Sequence, residues 1–424
     1  MAYPADNTPI TNYAGTALMG VIDHAGWHAI TNGDLDGVKN TLGVTAGTSV
    51  LKDVLVGQFV STTAGTETLL NKTLTSPIIG GTPVLDATSA VPFYTDSLYR
   101  QALINGNFDI WQRGTSIVPT TTAYGADRWQ NYRNTTGSTV SRQDGTGVAG
   151  STYCARAQRD NSNSATNLIY IGQSLETGDV IKFRGKKVTM SFYARKGANF
   201  SASSDKLFLY IKSGTGTDEN IFTGYTNSVT DLGGSEPAGD SYATLTTSWQ
   251  KFTFTTAAVL AATTNELGFY LDYVPVGTAG AADYFEITQV QLCAGDVALP
   301  FMPKSYDEEY RACLRYYFNA CYPSIANDAH ICQGHARTTT LAICGISLPT
   351  PMRQSPIVSV NAADSFAVKL TGGSAIQCDS FSNGASTPCY GDFGFTVASG
   401  LTAGAPILIS TVGAGGIITF SAEL

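Results

Sequence analysis

Between residues 101 and 303 apolar and polar residues alternate in short bursts separated by glycine-rich turns, the period-2 signature of half-buried strands. In VTMSFYAR, Val188, Met190, Phe192 and Ala194 point one way, and Thr189, Ser191, Tyr193 and Arg195 the other. KLFLYIK sets Leu207, Leu209 and Ile211 inward against Phe208 and Tyr210, and WQKFTFT puts Phe252 and Phe254 on one face. ELGFYLDY opposes Leu267, Phe269, Leu271 and Tyr273 to Tyr270 and Asp272. In YFEITQVQL the apolar phase slips between Ile287 and Val290, which predicts a β-bulge at Thr288–Gln289. The fold class expected is all-β, with a two-sheet jelly-roll β-sandwich over 101–303.

The stretch LINGNFDIWQRGTS, residues 103–116, crowds Phe108, Asp109, Trp111 and Arg113 beside Asn105 and Asn107. Alternation sets Ile104, Phe108 and Ile110 on one face and Asn105, Asn107, Asp109 and Trp111 on the other. It is read as the strand leading into the sandwich, with a turn at Asn105–Gly106–Asn107 and an exit at Arg113–Gly114. Trp111 and Trp129 are expected to seal the sandwich edge, and Trp111 beside Asp109 leaves a sugar contact open.

PKSYDEEYRACLRYYF predicts a connector helix over 304–318. Ser305 and Glu308 make a capping box, Asp307 to Glu309 suit the positive end, and Tyr310, Cys313, Leu314 and Tyr317 recur on one helical face. From 319 short strands resume in TTTLAICGISLP, IVSVNAA, FAVKLTG, PILISTVG and GIITFSAEL, a C-terminal β-sandwich domain spanning 319–424. Residues 1–65 alternate small polar clusters with brief apolar runs, and only Leu35 to Leu42 fit a short helix. Such a segment cannot offset its ordering entropy alone and is expected to be ordered by a partner. Residues 66–100 carry Leu69, Leu70, Leu74, Ile78, Ile79, Val84 and Leu85 spaced by Thr, Ser, Gly and Pro. Three copies wound about one axis would bury these aliphatics in a shaft; an ordinary Gly/Thr-rich linker is the alternative.

Composition narrows the functions. Charged residues are 14% of the 424, and the formal net charge is −8. No Lys/Arg cluster is present to neutralise phosphates, so nucleic acid is not an expected partner. No apolar run reaches the roughly 18 residues of a membrane helix, so membrane insertion is not expected either. MAYPADNTPI has neither a basic nor an apolar signal region, which predicts synthesis in a cytoplasm and eight mostly reduced, buried cysteines.

LINGNFDIWQRGTS, ADRWQ and QVQLCAGDVALPFMPKSYDEEYRACLRYYF together resemble a jelly-roll domain of phage fibre and virion structural proteins, one described as carbohydrate-binding-module-like. LPTPMRQSPIVSV resembles the start of the terminal domain that follows it, and NKTLTSP…GGTP resembles the trimeric shafts of bacteriophage tail and head fibres. The main likeness covers about residues 100–360. It implies a homotrimeric virion fibre, mounted through residues 1–65 on a tail or capsid protein and recognising a host-surface glycan for adsorption. A head fibre or decoration protein without a receptor site is the alternative, and a glycan-degrading tailspike ranks last. The shaft pattern occurs once, which implies a short fibre, and residues 1–65 match no attachment module, which leaves the mounting site open.

Sugar rings stack their C–H faces on aromatic rings while polar side chains read the hydroxyls. Tyr193, Tyr210, Tyr270 and Asp272 are expected to share one sheet face, with Tyr225 and Tyr242 overhanging from a long polar loop. The same face would serve equally well to pack against a neighbouring subunit. Glycoside cleavage needs two suitably spaced carboxyls. Asp218, Glu219, Asp231, Glu236, Asp240, Asp272, Asp283 and Glu286 form no such motif, and Asp218 to Asp240 read as a solvated loop. There is no G-x-S-x-G elbow, and the only histidines are His24, His28, His330 and His335. An enzyme is therefore not expected, nor any cofactor. HICQGH offers His330, Cys332 and His335 as zinc ligands but lacks a fourth; a turn with ordinary histidines is the alternative.

Overall fold

The computed structural model describes residues 101–424, apart from Thr136, 234–240, 322–327, 371–372 and 414, and the backbone of six short strands ahead of them. The chain divides into Met1–Val84 and Leu85–Leu424. In the first unit, β1 (Ile10–Thr11) pairs with β2 (Ala17–Met19), β3 (Lys52–Asp53) with β4 (Gln58–Phe59), and β5 (Ile78–Ile79) with β6 (Thr82–Pro83), all antiparallel. Ile78 and Ile79 thus lie on one arm of a hairpin. The expected helix at Leu35–Leu42 and the shaft residues Leu69, Leu70, Leu74, Val84 and Leu85 lie outside the described residues.

In the second unit, 116–294 form two antiparallel sheets. One runs β17 (Gln250–Thr255), β13 (Val188–Lys196), β19 (Tyr284–Ala294), β11 (Tyr153–Arg159), β10 (Ser138–Asp144), β7 (Ser116–Ile117). The other runs β15 (Val229–Leu232), β14 (Lys206–Gly214), β18 (Glu266–Tyr273), β12 (Ile169–Ser174), β9 (Gln130–Arg133), β8 (Thr122–Tyr124), with β16 (Tyr242–Thr244) also on β14. From β11 to β14, and again from β17 to β19, each strand crosses to the opposite sheet from its predecessor, the winding of a jelly roll.

Local alternation explains the core. Met190, Phe192, Leu207, Leu209, Ile211, Leu267, Phe269, Leu271 and Tyr273 are all fully buried between the sheets. The β13–β19 register moves from Ser191 opposite Gln291 to Tyr193 opposite Thr288, so β19 carries one extra residue there. Gln289 absorbs it with φ 50°, which places the bulge where the hydrophobic phase slipped.

Residues 103–112 are not the expected leading strand. Asn105 and Phe108 take φ of 59° and 58°, outside the β region, and the segment folds into consecutive turns against the bulge. Both expected faces are buried apart from half-buried Ile104 and Asp109: Leu103, Phe108, Ile110 and Trp111 lie on apolar neighbours, Asn105 and Asn107 in hydrogen bonds. The Asn105 amide donates to the Ile110 and Asp127 carbonyls (2.8 and 3.1 Å), while the Trp111 indole donates to the Phe108 carbonyl (2.7 Å). Trp111 is 1% exposed, so it cannot stack on a ligand. Gly106 lies against the Val290 carbonyl, where any Cβ would collide, and its own carbonyl accepts from Val290 N (2.9 Å).

The connector helix is shorter than expected, Tyr306–Leu314, with the Ser305/Glu308 capping box in place. It stops because Tyr317 enters β20 (Tyr317–Asn319) and pairs with Ser421. Tyr317 therefore belongs to a strand and not to the helical face. The following sandwich packs β20, β29 (Ile418–Ser421) and β23 (Ile357–Val360) against a larger sheet. That sheet runs β25 (Ala375–Gln377), β24 (Phe366–Leu370), β28 (Pro406–Thr411), β21 (His330–Ala336), β22 (Leu341–Ser347), β27 (Tyr390–Thr396), β26 (Ser380–Asn383). Phe366, Phe393, Phe395, Ile409 and Phe420 fill its core. All eight cysteines are free thiols, and only Cys389 is exposed.

A polar interface joins the two sandwiches. Glu423, leaving β29, meets Arg113 (3.0 Å) and Arg128, whose guanidinium lies 3.7 Å from the Tyr316 ring centroid. Arg315 forks onto Glu176, the contact at Nε being 2.9 Å, and Asn319 donates twice to Gln112, from its amide to Oε1 and from Nδ2 to the carbonyl (both 3.1 Å).

Candidate functional site

The outer face of the β14–β18–β12–β9 sheet is built by the same alternation that fills the core. Cross-strand register places Tyr132, Tyr170, Asp272, Phe208 and Tyr242 in one row across five strands. A second row holds Gln130, Gly172, Tyr270 and Tyr210. Because neighbouring strands lie about 4.8 Å apart, tyrosines on them stack. Ring centroids are 5.2 Å apart for Tyr132–Tyr170 and 4.8 Å for both Tyr170–Tyr270 and Tyr270–Tyr210. Four tyrosines from four strands therefore make one continuous ladder. Gly172 is required beside it, since a Cβ there would meet Tyr270 Cα and Cβ at 2.8 Å.

The loop between β14 and β15 folds over one end of this face. Ile221 and Tyr225 are buried on Tyr270, with Phe222 half-buried beside Tyr170 and Tyr270 (6.3 and 6.0 Å between ring centroids). Gly268 makes room for Tyr225, whose hydroxyl occupies the place of a side chain. Lys212 lies 5.4 Å from the Tyr270 centroid and Lys206 3.9 Å from that of Tyr242, within cation–π range.

Asp272 is the polar centre of the face. It is 5% exposed, stands between Tyr170 and Phe208, and its Oδ1 has no hydrogen-bond partner. Burial pushes its carboxyl up to about 7. At the covered end, burial and then the nearby Glu219 raise Glu266 to about 7. Glu219 is held low by hydrogen bonds from Thr226, and its own amide donates to Glu266 (2.6 Å).

Of the residues expected here, the structure brings together Tyr210, Tyr270, Asp272, Tyr225 and Tyr242. Tyr225 is packed into the face instead of overhanging it, and Tyr242 sits on β16 with its ring 5.9 Å from Phe208. Tyr193 is excluded. It points outward from β13, opposite Lys251 and Thr288, on the other sheet of the sandwich. Period-2 alternation fixes which side of a strand a residue occupies; it does not say which layer the strand joins. Tyr132, Tyr170 and Phe222 were missed. LIYIGQ carried the signal for Tyr170, with Ile169 and Ile171 inward and Tyr170 outward, whereas the four-residue strand of Tyr132 is too short to show a period.

The carboxylates are mostly committed to structure. Asp283 pairs with Arg159 (2.9 Å) with both side chains fully buried, and Glu286 lies between Arg156 and Arg195 (2.6 and 2.5 Å). Of the expected solvated loop, the part from Asp218 to Tyr225 is packed, with Asp218 paired to Arg353 of the second sandwich (3.0 Å) and Ile221 and Tyr225 buried, while 226–230 are exposed and lead into β15. Glu236 and Asp240 lie outside the described residues. HICQGH is strand β21, not a turn. His335 is exposed while Cys332 turns inward to Cys344, because three positions along a strand reverse the face; His330 is exposed although only two positions from Cys332, because the register shifts between them. Among the described residues no three His, Cys, Asp or Glu gather as metal ligands.

No protein-family model matches the chain, and no curated protein sequence does. Solved structures do match. The CBM22-1 xylan-binding domain of Xyn10C from Paenibacillus barcinonensis is 13% identical, covering 47% of this chain and 99% of that one, with a TM-score of 0.26. A CBM4 structure is 19% identical over 45% of this chain and 97% of that one, TM-score 0.26. The enzymatically active domain of tailspike protein 4 from bacteriophage CBA120 is 8% identical, over 46% of this chain and 22% of that one, TM-score 0.27. With TM-scores this small, the jelly-roll assignment rests on the strand order given above.

Proposed function

We propose that this chain is a glycan-binding protein without enzymatic activity, and that the tyrosine ladder around Asp272 is its binding face. The observation that carries this reading is a nearly buried carboxyl with an unpartnered oxygen, set among half-exposed aromatic rings. An unpaired buried acceptor costs about 1–3 kcal/mol, which a sugar hydroxyl would recover by displacing the Tyr170 or Phe208 ring beside it, since Oδ1 is closed to solvent with the rings as they stand. The ladder's rings stack on each other, so their edges and hydroxyls, more than their faces, meet a ligand. That arrangement suits a polyhydroxylated chain laid across the strands.

The virion fibre role, the homotrimer, the mounting through residues 1–65 and the location in a virion rest on the sequence resemblance alone. They are consistent with shallow sites: a millimolar contact is worth about −4 kcal/mol, and linked copies raise avidity by about 10²–10⁴ when geometry permits. The decoration-protein reading is favoured by one observation, the mutual stacking of the rings, which would also stiffen a sheet with no ligand. A microarray of neutral, N-acetylated and uronic-acid-containing oligosaccharides separates the two. Retention of wild type, with loss in Tyr170→Ala, supports the binding face; retention of neither supports decoration.

A further inference from the structure

We propose that the second sandwich is a positioning element for this face, acting through Arg353 on the loop between β14 and β15. The loop contributes Ile221, Phe222 and Tyr225, half of the apolar cluster on the face, yet residues 215–228 pair with no strand. Something else must hold it. Within the jelly roll, Asp218 and Thr177 exchange hydrogen bonds (both 2.9 Å), and Ile221 N donates to Ser174 Oγ (3.0 Å).

The Glu219 amide adds its hydrogen bond to Glu266 of β18 (2.6 Å), and further anchors come from the second sandwich. Arg353, 8% exposed, places Nη1 on Asp218 (3.0 Å) and donates to the Ala422 and Glu423 carbonyls (both 3.0 Å). One guanidinium thus ties the loop to the residues leaving β29. Asn220 Nδ2 donates to the Leu424 carbonyl (2.7 Å), just ahead of Ile221. The Arg353 amide donates to the Arg315 carbonyl (2.8 Å), and Arg315 grips Glu176, next to Thr177. Asp218 and its partner Thr177 are therefore both held from the same neighbour. Removing the clamp leaves Tyr225 and Phe222 on a loop with only its internal turns and the jelly-roll contacts. Arg353 is a positioning residue, since it touches no part of the face itself.

The proposal rests on the glycan-binding reading for its consequence and stands apart from it for its mechanism. Both are read on the full chain by hydrogen exchange and by binding to the oligosaccharide microarray. Arg353→Ala is expected to speed exchange in 219–226 by about tenfold or more while β18 stays protected, and to weaken oligosaccharide binding by about tenfold. Arg353→Lys, which keeps the cation but loses the fork, should fall between. Should Arg353→Ala fail to fold, Asp218→Asn reduces the same link from an ion pair to at most a neutral hydrogen bond and leaves both carbonyl contacts of Arg353. Asn tolerates the φ of 54° at that position. Unchanged exchange in 219–226 overturns the clamp whether or not sugar binds. Faster exchange with unchanged binding overturns its positioning role. A wild type that binds no oligosaccharide overturns the glycan reading, and the role with it, while the exchange result still decides the clamp.

Discussion

Replacing Asp272 by Asn should remove most of the pH dependence that this residue imposes on stability. The folded carboxyl titrates at about 7 because it is buried without a compensating partner. In the unfolded chain it titrates at about 4. Between those values the folded state binds more protons than the unfolded one, so stability falls as pH rises from about 4 to about 7 and levels off above. A shift of roughly three units at about 1.4 kcal/mol each sets an upper bound near 4 kcal/mol. The carboxamide of Asp272→Asn has nearly the same shape as the carboxyl and no charge to desolvate. Urea denaturation of both proteins at pH 5 and pH 8.5 reads the effect. About 1.5 kcal/mol of this loss is already in place at pH 5, so the gap between variant and wild type should widen by a further 2–3 kcal/mol, roughly, from pH 5 to pH 8.5. Glu266 adds a similar fall, but it lies six residues along the same strand, roughly 20 Å away, and cancels in the difference. Parallel pH profiles for the two proteins would refute the account of Asp272 as a buried, unpaired acid.

Other perturbations test the scaffold. Arg159→Met strands Asp283 in a fully buried site and should cost about 3–5 kcal/mol in chemical denaturation. Gly106→Ala drives a methyl into the Val290 carbonyl at the bulge and should cost about 1–3 kcal/mol, seen as a lowered Tm. Light scattering should report three times the 44.7 kDa chain mass; a monomer would sink the fibre reading.

The inner faces of the strands were legible in the sequence because period-2 alternation is a local property. Met190, Leu209 and Phe269 sit where the pattern puts them, and the slip in YFEITQVQL marks a bulge for the same reason. Layer membership was not legible. Tyr193 and Tyr210 occupy strands adjacent in sequence that lie on opposite sheets, and long-range pairing decides that. LINGNFDIWQRGTS misleads because its alternation is fortuitous: Asn105 and Phe108 are left-handed, and side-chain hydrogen bonds replace a strand ladder. The capping box marked the start of the helix correctly. Its end was overrun, since Tyr317 matches helical spacing while β29 recruits it to a sheet. The interface around Glu423 joins residues about 300 apart and left no local signal.

Glycan binding is proposed for the β14–β18–β12–β9 face and not for the opposite one. Oligosaccharide binding by Tyr270→Ala and Tyr193→Ala, each checked for an intact fold, tests it most directly. Loss of binding in Tyr270→Ala with full binding in Tyr193→Ala is the predicted result. Binding that survives Tyr270→Ala, or that disappears with Tyr193→Ala, would contradict it.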